Sequence, residues 1–259
     1  TPRPRIGMFL RCRNLRIEGV SLVDSACWTL WLMQCEGVAV SGVSIAGDRR
    51  MRNVDGIDLD CCRNASVTGC RFDTEDDCVV LRAIGRLYDE PAVCENVTVS
   101  DCVMATACQG VRVGCPGDGV IRNAVFSNLV IRSANNGILF ENPRRYLPAD
   151  RPGSADISRI SFSNCVIECG RMPVGIIVEE GIALPRLADL SFSNFTVRSG
   201  GPCVVRGSAE TTIPDVRFSD MRIETSGDDA VVCRRCERVR LDNIELANRA
   251  AETPPGRQG

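Results

Sequence analysis

Apolar residues fall at every second position in short segments along this chain, and nine of those segments share one form. The form is apolar, any, apolar, any, a small or Asn/Asp residue, apolar, any, apolar. It reads "LRIEGVSL" from Leu15, "VAVSGVSI" from Val38, "AVFSNLVI" from Ala124 and "ISFSNCVI" from Ile160, with start-to-start spacings of 23 to 36 residues. Strict alternation predicts β-strand with every second side chain inward. The interrupting Gly, Asn or Asp predicts a bend between two short strands. A further apolar strand follows most copies, as in "GIDLD" at Gly56, "CVVLR" at Cys78 and "GILFE" at Gly137. Units that cannot bury a face alone must stack, and three strand segments per turn predict an all-β parallel β-helix of about nine rungs with almost no helix. Residues 1–259 are expected to form a single β-helix domain. The opening "TPRPRIGMFLRC" is already strand-like, so the N-terminal start or cap of the solenoid is expected to be missing.

Sixteen cysteines suggest a disulfide scaffold or a zinc protein, but their positions argue otherwise. Cys70, Cys102 and Cys165 fall in one inward column, and Cys12, Cys35, Cys62, Cys94 and Cys236 in another. They are expected to be stacked core thiols, with a disulfide open at Cys233 and Cys236. "CRRC" has no second pair, so no metal is expected. Histidine is absent, which excludes Ser-His-Asp and Cys-His catalysis and His-ligated metals. The net charge of -2, with no basic stripe and no run of 18 apolar residues, predicts neither a nucleic-acid nor a membrane partner.

"NVDGIDLDCCRNASVTGCRFDTEDDCVVLR", from Asn53 to Arg82, holds seven acidic residues in thirty. Aligning the apolar strands places Asp55, Asp77, Gln109, Asn136, Val174, Pro202 and Asp229 in one column. Asp55 and Asp77 are 22 residues apart, one turn, with Asp76 beside Asp77. Three carboxylates are thus expected close together on one outer face. Such crowding raises at least one pKa and yields an acid and a base at the same pH, the pairing that glycoside hydrolysis uses. The competing reading is turn chemistry, since Asp favours bends and "DG" is a turn dipeptide. "GDDAVV" from Gly227, with Asp228 and Asp229 but no Asp55-like partner, is read as a repeat echo.

"NVDGIDLD" followed by "DTEDDCVVLR" resembles the "NTDGID…DTGDDC" motif of family 28 glycoside hydrolases, the polygalacturonases and their relatives. The resemblance extends over "SACWTLWLMQCEGVAVSGVSI" and "RNAVFSNLVIRSANNGILF", roughly residues 5–248. It implies a right-handed parallel β-helix and an inverting hydrolase without cofactor, acting on a pectin-like polysaccharide or oligosaccharide. Asp76 would be the general acid, and Asp55 and Asp77 would activate water. A secreted or periplasmic location would follow, although no signal peptide is visible. Departures are specific. Gln109 stands where the family has His in Gly-His-Gly, Glu75 replaces a Gly, and Leu139 and Glu141 replace the substrate-binding Arg and Lys. The acid trio is intact while the uronate-binding set is lost, so altered specificity is expected.

Compensation is sought in nearby side chains. Arg82 and Arg112 lie on the outward columns, Arg144 and Arg145 in the "NPRRY" loop, and Asn53 and Gln109 beside the acids; all six are candidate substrate contacts. Trp28 and Trp31 precede the acidic rungs. Core packing is expected of one, and sugar stacking is open for Trp31. Asn128, Asn164, Asn194 and Asn243 share the bend column and are expected to form a hydrogen-bonded ladder rather than a site. Residues 84–93 and 142–156 are candidate loops for closing the cleft. Two alternatives stay open: a non-catalytic carbohydrate-binding relative, and a calcium-dependent polysaccharide lyase.

Overall fold

The computed structural model describes residues 3–87, 91–115, 117–147 and 153–248. Parts of both candidate closing loops, residues 88–90 and 148–152, lie outside the described residues, as do residues 1–2 and 249–259 of the expected domain. The chain coils into a right-handed parallel β-helix. One sheet holds nine parallel strands in chain order: Gly7–Leu10, Leu30–Met33, Ile57–Asp60, Val79–Arg82, Gln109–Val113, Asn136–Glu141, Val174–Ile177, Cys203–Arg206 and Val231–Arg234. The other large sheet carries the nine repeat segments, bent in the middle. Helical structure among the described residues is limited to the 3-10 turns Gly85–Leu87 and Arg144–Tyr146.

The bend in each repeat has one backbone cause. Gly19, Gly42, Gly69, Asp101, Asn128, Asn164, Asn194, Asp220 and Asn243 all have φ between 51° and 64°. Only Gly, Asn and Asp enter that left-handed region readily. The amides then bond between rungs: Asn164 Nδ2 donates to Asn128 Oδ1 at 3.2 Å, and Asn194 Nδ2 to Asn164 Oδ1 at 2.7 Å.

Inward positions form stacks. Phe126, Phe162, Phe192 and Phe218 lie face to face with centroids 4.3, 5.4 and 5.1 Å apart. Burying each ring contributes about 1.5–3 kcal/mol. Cys70 is stacked in register with Cys102, and Cys35 with Cys62 and Cys94, all buried. All sixteen thiols are free, including Cys233 and Cys236, where a disulfide had been open.

Three registers differ from the sequence alignment: Gly175 pairs with Val204 and Cys203 with Val231, each one residue off, and the third is a slip of two. Asn136 was aligned with Val174, yet Ile138 pairs with Val174 and Leu139 with Gly175. A slip of two keeps every side chain on its face, so alternation cannot detect it. Gly175 explains the observed register: a Cβ there would stand 2.9 Å from Leu139 Cδ1.

Candidate active site

Asp55 and Asp77 precede neighbouring strands of the nine-stranded sheet, because Ile57 pairs with Val79. Gly56 between Asp55 and Ile57 is not there for a left-handed turn. A Cβ on it would lie 2.3 Å from the Cys78 carbonyl oxygen and 2.7 Å from Phe72 Cδ1, so glycine permits the close approach of two rungs. The Asp76 turn is tied from both sides. Its carbonyl accepts from Thr74 Oγ1 and Thr106 Oγ1, each at 2.6 Å, and its N–H donates to the Val54 carbonyl at 3.2 Å. These constraints hold the carboxylates on rigid strand ends, which a mere turn does not require.

The three carboxylates line one cavity of about 510 Å³, with Asn53, Gln109, Arg82, Arg112, Arg145 and Trp28 also on its wall. They do not lie on an open outer face. Asp55 and Asp77 are 3% and 2% exposed, while Asp76 is half-buried. Asp76 Oδ2 accepts from Asn53 Nδ2 at 3.1 Å, and its Oδ1 from the Asp77 N–H at 3.0 Å. Asp77 Oδ1 and Gln109 Oε1 are buried without a partner among the described residues.

Arg82 and Arg112 are not solvated surface arginines. Arg82, 2% exposed, donates to Asp58 Oδ1 at 2.5 Å, lies 3.6 Å from Asp55 Oδ2, and stacks 4.1 Å from the Trp28 ring centroid. Arg112 donates to Asp77 Oδ2 at 3.3 Å and also to Glu141. Each proposed base carboxylate is therefore held by one buried guanidinium. Both arginines line the cavity, but their charge is committed to protein carboxylates rather than left free for substrate.

Burial dominates the proton affinities. It pushes Asp55 well above the usual carboxylate range, with Asp58, Asp77 and Asp76 adding repulsion. It pushes Asp58 up to about 7 and Asp77 up to about 6, against the opposing pull of Arg82 and Arg112 respectively. Unfolded aspartates titrate near about 3.9. The folded protein thus keeps protons that the unfolded chain releases as pH rises from about 4 towards 6–7. Stability from these groups is intact below that window and falls across it. Urea melts of Asp58→Asn and the parent should show the variant gaining on the parent between pH 4 and pH 7. A gap independent of pH would contradict a raised Asp58.

Other candidates are placed differently. Trp31 is off the cavity wall: its Nε1 donates to Asp60 Oδ2 at 3.3 Å and Arg5 stacks 4.6 Å from its ring centroid. Trp28, edge-on to Trp31 at 5.1 Å, takes the wall position instead. Arg144 turns away: its guanidinium donates to the Gly181 carbonyl, and its own backbone N–H donates to Glu179 Oε2 at 2.9 Å. Asp228 and Asp229 are exposed and off the wall, as a repeat echo should be. Sequence reasoning missed Asp58, Glu141 as a partner of Arg112, Cys108, Arg171 and Arg206. The alternation in "DGIDLD" puts Asp58 on the same outward side as the cluster and is the signal that could have found it.

Asp76, Asp77 and Cys108 each offer a ligand atom within 4.8 Å of the others. A thiolate would favour a soft or borderline ion, but burial pushes the Cys108 thiol up, which works against ligation.

Comparison with known proteins agrees with the geometry. Residues 2–87 match glycosyl hydrolases family 28. The chain is 25% identical over 256 residues to a probable polygalacturonase of Arabidopsis thaliana, covering 85% of this chain and 56% of the relative. It is 22% identical over 225 residues to an endo-polygalacturonase of Pectobacterium carotovorum subsp. carotovorum, covering 83% of this chain and 53% of that one. A crystal structure of an exopolygalacturonase from Thermotoga maritima shares the fold, with a TM-score of 0.80 at 24% identity over 94% of this chain and 55% of that chain. The chain spans about half the length of these relatives.

Proposed function

We propose that this chain, polygalacturonase-like and related to the family 28 glycosyl hydrolases, cleaves a glycosidic bond of a pectin-like polysaccharide or oligosaccharide with inversion. The observation that carries the proposal is the convergence of Asp55, Asp76 and Asp77 on one cavity, with Asp55 and Asp77 buried and Asp76 half-buried. Asp76 is the half-buried member and the one placed to reach a glycosidic oxygen, so it is the general acid. Asp55 and Asp77 lie beneath, and the unpartnered Oδ1 of Asp77 is free to accept a proton from water. As the bond breaks, Asp76 gives its proton to the leaving oxygen. Water attacks the anomeric carbon from the opposite face and gives a proton to the Asp55–Asp77 pair.

Arg82 and Arg112 position that pair. Their positive charges oppose, without cancelling, the burial and mutual repulsion that raise the proton affinity of both carboxylates. Gln109 cannot carry a proton, so its role is to hydrogen-bond a sugar hydroxyl or the attacking water.

The test is reducing-end release from polygalacturonate, rhamnogalacturonan, galactan and neutral plant polysaccharides, with ultraviolet absorbance followed in parallel. Release from a pectic substrate, with no unsaturated product and with the inverted anomer first by NMR, is expected. Absorbing products would identify a lyase instead. No release from any substrate by folded protein would identify a non-catalytic carbohydrate-binding relative.

A further inference from the structure

Cys108 belongs to neither thiol column and stands on the cavity wall beside Asp76 and Asp77. Its half-buried thiol hydrogen-bonds the Asp76 carboxylate. Its backbone is fixed three ways. The N–H donates to Thr106 Oγ1 at 2.9 Å, and the carbonyl accepts from Ser133 Oγ at 2.6 Å and from the Asn136 N–H at 3.2 Å. Thr106 Oγ1 also donates to the Asp76 carbonyl at 2.6 Å, so one buried hydroxyl locks the Cys108 turn to the Asp76 turn. Two neighbouring rungs of a rigid sheet thus present Asp76, Asp77 and Cys108 together.

The three side chains form an incomplete ligand set. Each brings a ligand atom within 4.8 Å of the other two, and among the described residues no other group of three acidic or cysteine side chains does so. Asp77 Oδ2 faces Arg112, but Asp77 Oδ1 is buried without a partner, as is Gln109 Oε1 on the same wall; Gln109 is 4% exposed. Orphaned buried acceptors call for a donor or a cation. The donor types narrow the ion. One sulfur and two carboxylate oxygens suit zinc, which takes both at about 2.0–2.3 Å. Calcium and magnesium take oxygen alone and about six or more ligands. Four-coordinate zinc holds its ligand atoms about 3.5 Å apart, so the side chains close by about 1 Å around it. The other thiol on this wall, Cys115, faces the charges of Arg112, Arg82 and Arg145 instead, which repel a cation.

We propose that Asp76, Asp77 and Cys108 bind one borderline divalent cation, zinc, with water completing its shell, and that the bound ion switches the cavity off. The thiol gives its proton to solvent as its sulfur bonds the ion, and nothing is oxidised or reduced. Burial holds that proton tightly, so the ion must displace it, releasing one proton for each ion bound. Asp76 on the ion has no proton for a leaving oxygen, and Asp77 on the ion has no free oxygen for water. The switch rests on the proposed cleavage at Asp76; ion binding does not.

Cys233 and Cys236 of the last turn, one exposed and one half-buried, offer a second thiol pair, so the metal-free Cys233→Ser/Cys236→Ser protein serves as reference. Zinc binding is measured by calorimetry, and cadmium binding by the ultraviolet band of its thiolate bond. The reference is expected to bind zinc in the presence of excess magnesium and calcium, and to show the cadmium band. Adding Cys108→Ser is expected to abolish the band and to lower zinc affinity about tenfold or more. Adding Asp76→Asn should lower zinc affinity as well, and adding Cys115→Ser should leave it as in the reference. No zinc bound by the folded reference, a cadmium band that survives Cys108→Ser, an unchanged zinc affinity in either folded ligand variant, or an equal loss in Cys115→Ser would each overturn the site. Saturating zinc is expected to lower the rate of pectic hydrolysis by at least about tenfold, and a chelator to restore it. Zinc bound with no loss of rate would overturn the switch. Zinc bound by a protein that hydrolyses nothing when metal-free would overturn the proposed reaction and leave the ion site standing; hydrolysis with no zinc bound would do the reverse.

Discussion

Replacing Asp76 by Asn is expected to lower kcat on a pectic substrate by about 10²–10⁴-fold, the range that a positioned general acid contributes. The prediction follows from placement. Asp76 is the half-buried carboxylate of the trio, and two donors fix it, the Asn53 amide and the Asp77 N–H. Asn retains an oxygen for the Asp77 N–H, so the turn is kept. Its new NH2 group would face the Asn53 Nδ2, so one hydrogen bond is lost, at about 0.5–1.5 kcal/mol. The main effect is thus chemical: the side chain has no proton to give. KM should change little, because the sugar contacts stay in place. Substrates with a good leaving group, such as aryl glycosides, should lose much less, since their departure needs little protonation. A fall of less than tenfold on the polymer, with the fold intact by circular dichroism, would remove Asp76 from the role. A fall equal on polymer and aryl glycoside would instead move Asp76 to the water-activating side of the reaction.

The coil was legible because it depends on parity alone. All nine bend positions found from alternation adopt the left-handed conformation, and Cys70 stacks on Cys102 and Cys35 on Cys62 and Cys94 as their spacing predicts, while Cys165 and Cys236 pair with Leu129 and Ile213 instead. The meeting of Asp55 with Asp77 was legible too, since a 22-residue turn brings them into register. What lies over the sheet was not. Alternation labels Asp58, Arg82 and Arg112 as outward, and outward reads as solvated. Their burial comes from Trp28 and from side chains on other rungs, contacts set by chain segments far apart in sequence. Glu141 shows the same limit. Read alone, it is a lost cation; beside Arg112 it is half of an ion pair. Arg112's register partner is Leu139, so the pairing is diagonal, and column alignment does not reveal it. Arg171 and Arg206 carry no local motif, and only the shape of the cavity connects them to the acids.

The largest stability effect is expected at Arg82. Replacing it by Met, which nearly matches its apolar volume, should cost about 3–5 kcal/mol, as when one partner of a buried ion pair is removed. Asp58 is fully buried and Asp55 nearly so, and Arg82 is the cation that approaches both. Without it they must either bear unpaired charge or stay protonated. They will take the second course, so their already raised pKa values should climb further. That gives the loss a pH signature. At a pH below about 4 these groups are protonated in folded and unfolded chains alike, and the variant loses little beyond packing and the Trp28 contact. As pH rises through the unfolded value, the unfolded chain releases protons that the variant's folded state retains. The parent's folded state also retains them, Asp58 up to about 7 and Asp55 well above the usual range, so the gap stays level from about pH 4 to 7 and widens above about pH 7, where the parent releases protons that the variant still holds. Urea midpoints of both proteins across that range measure it. Activity should respond through the same groups, since Asp55 held protonated cannot take a proton from water. The pH optimum of any residual activity should therefore shift upward. A stability gap that stays constant from pH 4 to pH 9 would mean that Arg82 serves as packing, and that this guanidinium does not favour the ionised forms of Asp55 and Asp58.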